Sequence, residues 1–158
     1  MAATSHKSAR VEQPVASGTT QPGASKGCCE SGPDGSCVDD TLFARYQHAW
    51  TVGDSDAIAE MMTPDALYEA SFGPEAWGQR FVGREAIRAA VRAQQAASSH
   101  RGGHTYGDRY VCGNHGFSTW TSDSVDADGN PTVVYGCDLY EFSDGLVSKK
   151  IAFRKARG

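Results

Sequence analysis

The chain has 158 residues, a length that supports one globular domain. Its formal net charge of −4 argues against a broad nucleic-acid-binding surface, and no apolar run approaches the roughly 20 residues that a membrane helix needs. The N-terminus lacks the apolar segment of a secretory signal. We therefore expect a cytoplasmic protein with neither a nucleic-acid nor a membrane partner.

Residues 1–38 are predicted to form a disordered N-terminal arm. They are crowded with Ser, Thr, Gly, Pro and Gln and show no hydrophobic periodicity. The arm contains Cys28, Cys29 and Cys37, and three thiolates this close together could bind a soft ion such as Zn²⁺, Cu⁺, Hg²⁺ or As(III). Redox or regulatory thiols, and a tail without a specific role, remain alternatives.

The ordered domain is predicted to span residues 39–158 and to begin with two helices. Asp39 or Asp40 can cap the first helix, which carries an apolar stripe as far as Gly53. The stripe follows helical spacing and consists of Leu42, Phe43, Tyr46, Ala49 and Trp50. A second, short helix is expected from Asp54 or Ser55 through Met62, with Thr63-Pro64-Asp65 ending it.

A strand and a third helix follow. Alternation over Ala66–Phe72 places Glu69 on the face opposite to that of Tyr68 and Ala70. The next loop carries Trp77, an aromatic side chain that could close a pocket. The third helix is predicted to start at Gly83-Arg84-Glu85 and to end near Ala97, before a polar loop, Ser98–His104.

The remainder of the chain reads as four strands. Two strands, Thr105–Cys112 and Phe117–Asp123, precede a hairpin with arms Thr132–Phe142 and Leu146–Arg154. Ser143-Asp144-Gly145 separates the arms, and Asp-Gly is a strong hairpin signal because glycine accepts positive φ. This order of elements predicts an α+β fold, in which a bent antiparallel sheet and helices on one face enclose a conical pocket.

An acidic residue lies at the centre of the first hairpin arm. Asp138 shares a strand face with Val134, Gly136 and Tyr140. A buried acid is costly unless it is paired, protonated or functional, so this position is a candidate for chemistry. In the second arm, regular alternation predicts that four residues share one face: Val147, Lys149, Ile151 and Phe153.

Several short motifs together resemble the SnoaL-like branch of the nuclear transport factor 2 superfamily, which also contains ketosteroid isomerases. The resemblance covers roughly residues 39–156. The motifs that carry it are Arg45-Tyr46…Gly53-Asp54, Pro64-Asp65-Ala66, Phe81-Val82-Gly83-Arg84-Glu85-Ala86-Ile87-Arg88, Asp138-Leu139-Tyr140-Glu141-Phe142…Asp144-Gly145-Leu146-Val147, and Phe153-Arg154-Lys155. It implies a cone formed by about three N-terminal helices and the bent sheet.

The resemblance also implies a chemistry. The tyrosine of the ketosteroid isomerase oxyanion hole falls on Tyr46, and the acid that this family keeps protonated falls on Asp138. The general base of that family falls on Ala70, so we expect proton transfer by His104 or Glu69 instead. His104 is predicted at the pocket rim, where a near-neutral pKa would suit proton transfer.

Two further hypotheses accompany that of an isomerase, cyclase or dehydratase acting on a small hydrophobic carbonyl compound. The domain could bind a hydrophobic ligand or dimerise without catalysis, or the cysteine arm could carry the function. We expect a homodimer and no cofactor in the pocket. The residues predicted to contact the small molecule are aromatic: Trp50, Phe72, Trp77, Trp120 and Phe153.

Overall fold

The computed structural model describes residues 40–97, 104–125 and 128–155. The predicted arm, with its three cysteines, lies outside these residues. The helices are α1 (Asp40–Val52), α2 (Ser55–Glu60) and α3 (Arg84–Ala97). The strands are β1 (Met62–Glu69), β2 (Arg80–Val82), β3 (His104–Cys112), β4 (His115–Val125), β5 (Pro131–Ser143) and β6 (Leu146–Arg154).

The six strands form one sheet in the order β2-β1-β6-β5-β4-β3. Neighbouring strands are antiparallel except for β1 and β6, which pair in parallel. A parallel pair needs a long connection, and here β2, α3 and β3 to β5 supply it. The sheet is bent and unclosed, and the helices pack against its inner face. This arrangement confirms the predicted α+β cone.

The helices contribute one apolar side each to the core. Phe43, Tyr46 and Trp50 of α1 are buried, as the helical stripe predicts. Asp54 caps α2 by accepting hydrogen bonds from the backbone N–H groups of residues 56 and 57. Among the described helices, none has the length and apolar character needed to cross a membrane.

The segment after α2 differs from its prediction. Helix α2 ends at Glu60, and β1 already begins at Met62 instead of at Ala66. Pro64 therefore lies within a strand, in a stretch where the register between β1 and β6 shifts. Proline is tolerated at such irregularities because the ladder hydrogen bond is already missing there. The short strand β2 was not predicted at all.

The hairpin of β5 and β6 is confirmed, but its second arm is out of phase with the prediction. Asp144 and Gly145 both have positive φ, 52° and 70°, as a two-residue turn requires. A bulge follows, since Glu141 pairs with Lys149 while Phe142 pairs with Val147. The extra residue reverses the alternation. Val147 consequently faces the core, whereas Lys149 faces outward.

Candidate functional site

A buried ion pair lies at the centre of the inner sheet face. Lys150 Nζ on β6 is 2.6 Å from Asp138 Oδ2 on β5, and the two side chains are 2% and 0% exposed. Burial of both charges costs free energy that mutual attraction repays only when further hydrogen bonds satisfy them. The surroundings of each charge are therefore informative.

The carboxylate of Asp138 accepts hydrogen bonds on both oxygens. Trp120 Nε1 donates to Oδ1 at 2.9 Å, and the Tyr140 hydroxyl donates to Oδ2 at 2.9 Å. The Tyr106 hydroxyl lies 3.4 Å from Oδ2, and Ser118 Oγ lies 3.1 Å from the Tyr140 hydroxyl. Alternation along β4 and β5 brings these side chains to one face. In the structure Asp138 thus accepts hydrogen bonds, whereas the resemblance implies a neutral donor at this position.

The ammonium of Lys150 sits among aromatic rings. Its Nζ lies 4.7 Å from the centroid of the Trp50 ring, 5.3 Å from that of Tyr68 and 5.8 Å from that of Tyr140. Ring faces attract a cation but do not replace its hydrogen bonds. Within the described ranges, the one hydrogen bond of this side chain goes to Asp138. Burial lowers the pKa of Lys150, and the neighbouring carboxylate opposes that shift.

Of the two candidates for proton transfer, His104 and Glu69, His104 is the one that packs against the cluster around Asp138. It is the first residue of β3, and its imidazole packs edge-on against the Trp120 indole with 4.5 Å between centroids. Its pKa is lowered from 6.5 to about 4, chiefly by burial and also by the Lys150 charge, while Asp138 acts in the opposite direction. This pKa lies below the near-neutral value predicted from the sequence for a rim position. At pH 7 the imidazole is neutral and able to accept a proton.

Tyr46 and Glu69 lie apart from this hydrogen-bond network. The Tyr46 hydroxyl donates to Met62 Sδ at 3.6 Å, and burial raises its pKa. Its ring contacts that of Tyr140 at 6.1 Å between centroids, so it supports the cluster by packing. Glu69 lies on the opposite strand face, as predicted, where Arg80 Nε donates to its carboxylate at 2.9 Å.

The predicted ligand-contacting aromatics are divided among three places. Trp50 and Trp120 belong to the buried cluster, whereas Phe72 and Trp77 are about half exposed beyond the end of β1. The guanidinium of Arg154 lies over the Phe72 ring at 5.9 Å. Phe153 lies on the outward face of the sheet, because its side chain alternates with those of Ala152 and Arg154.

A groove of about 560 Å³ crosses the outward face of β3 to β6. Its lining includes Thr119, Tyr135, Cys137 and Phe153, which alternate with inward-facing residues of the same strands. Trp120, also part of the lining, connects the groove to Asp138 through its indole N–H. The sheet itself separates the groove from the ion pair.

Comparison with known proteins identifies the family. Residues 43–150 match the family model of the SnoaL-like domain. This match spans more than half of the chain.

The chain belongs to the SnoaL-like family.

Solved structures show the same fold. A protein of unknown function from Mesorhizobium loti, described as similar to nuclear transport factor 2, is 22% identical, with a TM-score of 0.58. The alignment covers 74% of this chain and 90% of that one. No curated protein matches the sequence.

Two further solved structures with this fold carry functional descriptions. A protein with a ketosteroid isomerase-like fold from Catenulispora acidiphila, solved with trimethylamine, is 18% identical with a TM-score of 0.59, over 71% of this chain and 83% of that one. A candidate polyketide cyclase from Xanthomonas campestris is 20% identical with a TM-score of 0.56, over 72% and 87%. At these identities the likeness establishes the fold of the SnoaL-like domain and leaves its reaction open.

Lys150 is the site residue that sequence reasoning missed. Regular alternation directs attention to Lys149, which instead pairs with Glu141 on the outward side at 3.1 Å. The bulge between Glu141 and Phe142 reverses the alternation, so that Lys150 faces inward and Lys149 faces outward. The sequence did contain one indication of Lys150. A buried acid at position 138 is stabilised by a cation on a neighbouring strand, and Lys150 is that cation.

Proposed function

We propose that this SnoaL-like domain is an isomerase, cyclase or dehydratase that acts on a small hydrophobic carbonyl compound through an enolate. The observation that carries the proposal is the buried ammonium of Lys150. Only one of its three N–H groups has a hydrogen-bond acceptor among the described residues. A carbonyl oxygen entering the cluster would supply a second acceptor.

Lys150 would stabilise the negative charge that develops on the substrate oxygen. An ammonium surrounded by aromatic rings acts in a medium of low dielectric constant, where electrostatic stabilisation of a transition state is larger than in water. Asp138 opposes the lowering of the Lys150 pKa by burial and holds the amine at 2.6 Å. In this proposal the ammonium takes the electrophilic role that the family resemblance assigned to Tyr46.

His104 would transfer the proton. Burial and the Lys150 charge lower the pKa of its imidazole to about 4, so the ring is neutral at physiological pH but a weak base, and in this proposal the Lys150 ammonium must acidify the C–H next to the bound carbonyl. It contacts Trp120, which in turn binds Asp138, so the proposed base and electrophile belong to one packed cluster. The trimethylamine complex of the Catenulispora neighbour and the cyclase description of the Xanthomonas neighbour are consistent with a ligand-binding pocket in this fold.

Hydrogen exchange of a simple enone tests the proposal without knowledge of the natural substrate. In D₂O, the wild type should accelerate deuterium incorporation next to the carbonyl of 2-cyclohexenone, as followed by NMR. Lys150→Met and His104→Gln should each reduce the enzymatic rate at least tenfold, while Lys150→Arg should retain part of it. Circular dichroism checks that each variant folds.

Glu69→Gln provides the matched control. Glu69 is adjacent in sequence to Ala70, where the family's general base would fall, but its carboxylate accepts a hydrogen bond from Arg80 on the opposite strand face. It should leave exchange unchanged. An exchange rate insensitive to both the Lys150 and His104 substitutions would reject the enzymatic proposal and favour non-catalytic ligand binding.

The outward sheet face suggests that the domain also forms a homodimer. Tyr135, Leu139 and Phe153 lie there and are 58%, 43% and 48% exposed. Exposed apolar residues clustered on one sheet face are typical of an interface. Sedimentation equilibrium should give a dimer for the wild type and a monomer for Leu139→Asp; a monomeric wild type would refute this proposal.

Soft-ion binding by Cys28, Cys29 and Cys37 remains a separate proposal. Native mass spectrometry of the full chain, compared with a chain beginning at Asp39, would detect it. A metal adduct confined to the full chain supports the proposal, and an adduct retained by the shorter chain rejects it.

A further inference from the structure

Arg154 is a cation at the end of the inner sheet face. It follows Lys150 and Ala152 in the inward alternation of β6, and its guanidinium lies over the Phe72 ring. In contrast to Lys150, it is exposed, and no carboxylate of the described residues lies within ion-pair distance of it. Its charge is thus available to an incoming anion.

Arg154 and Lys150 lie on one line along the same strand face. Four residues of a β-strand span about 13 Å, and both side chains are long enough to shorten that separation. A molecule about as long as two fused aromatic rings could therefore contact both cations. Lys150 is paired with the Asp138 carboxylate, whereas Arg154 has no carboxylate of the described residues within ion-pair distance, so Arg154 is the stronger attraction for a second negative group.

Small side chains lie between the two cations. Ala152 separates them on β6, and Ala70 occupies the corresponding position of β1, since Tyr68 pairs with Lys150. On the other side, Arg154 pairs with Gly136, and the Trp120 ring of β4 lies over that glycine. On β1 and β6 the residues between Lys150 and Arg154 on this face are therefore alanines, and the Trp120 ring borders them on the side of β5.

We propose that Arg154 binds a carboxylate on the substrate, so that the substrate class is an apolar or aromatic carbonyl compound with a carboxylate at its far end. The guanidinium pairs with the carboxylate at the mouth of the cone while the carbonyl oxygen reaches Lys150. This inference rests on the proposed function for the placement of the carbonyl group. A planar guanidinium suits a carboxylate because it can donate two parallel hydrogen bonds.

A pair of matched probes tests the inference. 2-Naphthol offers one oxygen to Lys150, and 6-hydroxy-2-naphthoate adds a carboxylate at the opposite end of the same ring system. Titration calorimetry at low salt should show that the wild type binds the carboxylate probe about tenfold more tightly than 2-naphthol. Added salt should reduce this preference, because the pair with Arg154 is exposed.

Variants then separate the two claims. Arg154→Gln should abolish the preference and leave the affinity for 2-naphthol unchanged, and Arg154→Lys should keep part of the preference. Lys155→Gln, which removes the neighbouring cation and leaves Arg154 in place, should have no effect, although both residues line the outward groove. Lys150→Met should weaken both probes while the preference for the carboxylate remains.

Each contrary outcome identifies the claim that fails. A preference that survives Arg154→Gln, or that disappears in Lys155→Gln, overturns the role of Arg154. An affinity for 2-naphthol that survives Lys150→Met overturns the proposed function and leaves Arg154 as an anion-binding residue. A wild type that binds neither probe overturns both.

Discussion

The Asp138–Lys150 pair predicts a marked asymmetry among substitutions. Asp138→Asn keeps the volume and an acceptor for Trp120, but it leaves the Lys150 ammonium buried without a counter-ion. Such a loss costs about 3–5 kcal/mol. Lys150→Met should cost less, about 1–3 kcal/mol, because Trp120 and Tyr140 still donate to the remaining carboxylate. The double variant should be no less stable than Asp138→Asn alone.

Urea unfolding followed by circular dichroism measures these differences as a double-mutant cycle. The coupling free energy should be at least as large as the cost of Lys150→Met alone, about 1–3 kcal/mol. In thermal unfolding, Asp138→Asn should lower Tm by roughly 10–20 °C, at a few degrees per kcal/mol. Additive single substitutions would refute the reasoning, since they would mean that the two charges do not depend on each other.

The pH dependence of Asp138→Asn provides an independent check. Removal of the carboxylate takes away the group that raises the pKa of Lys150, so this pKa falls further below its unfolded value. Between the folded and unfolded pKa values the unfolded chain binds more protons, and stability therefore rises with pH. The deficit of the variant relative to the wild type should shrink between pH 7 and about pH 9. A constant or growing deficit would contradict this account.

Three further predictions concern the same cluster. The pKa of His104 is lowered to about 4, so between this value and about pH 6.5 the unfolded state binds a proton that the folded state does not. As the pH falls from about 6.5 to 4, about 3 kcal/mol of stability should therefore be lost. His104→Gln should remove this component of the pH–stability curve. Burial raises the pKa of four tyrosines, so stability should fall by about 5 kcal/mol per pH unit above about pH 10 as the unfolded chain ionises, which alkaline denaturant titration would detect. Gly136→Ala should cost at least about 1–3 kcal/mol and alter tryptophan fluorescence, because an added Cβ would overlap the Trp120 ring; unchanged fluorescence would show that the ring does not lie over Gly136.

The hairpin and the position of Asp138 could be predicted because both depend on local rules. Asp144-Gly145 needs only positive φ at two residues, and β5 keeps strict alternation from Gly136 to Tyr140. Period-two patterns are reliable where one strand face is buried, since a shift by one residue would expose every core side chain. The same logic placed Glu69 on the outward side correctly.

Lys150 could not be predicted because its orientation depends on a bulge. Nothing in Leu146–Arg154 alone indicates that Glu141 and Phe142 pair with residues two positions apart. The pKa of His104 likewise depends on tertiary burial beside Trp120. The polar sequence that precedes His104 predicts an exposed loop and gives no indication of this burial. The direction of the Tyr46 hydroxyl was set by a long-range contact with Met62.

The most direct test of the central claim is the ionisation of a phenol bound in the cluster. 4-Nitrophenol reports its own protonation by its visible absorbance, and its phenolate resembles an enolate oxygen. The account predicts that the wild type binds it as the phenolate, with the pKa of the bound phenol lowered by the Lys150 ammonium, and that Lys150→Met abolishes this shift. A bound phenol with an unshifted or raised pKa, or a shift that persists in Lys150→Met, would contradict the assignment of Lys150 as the group that stabilises an oxyanion.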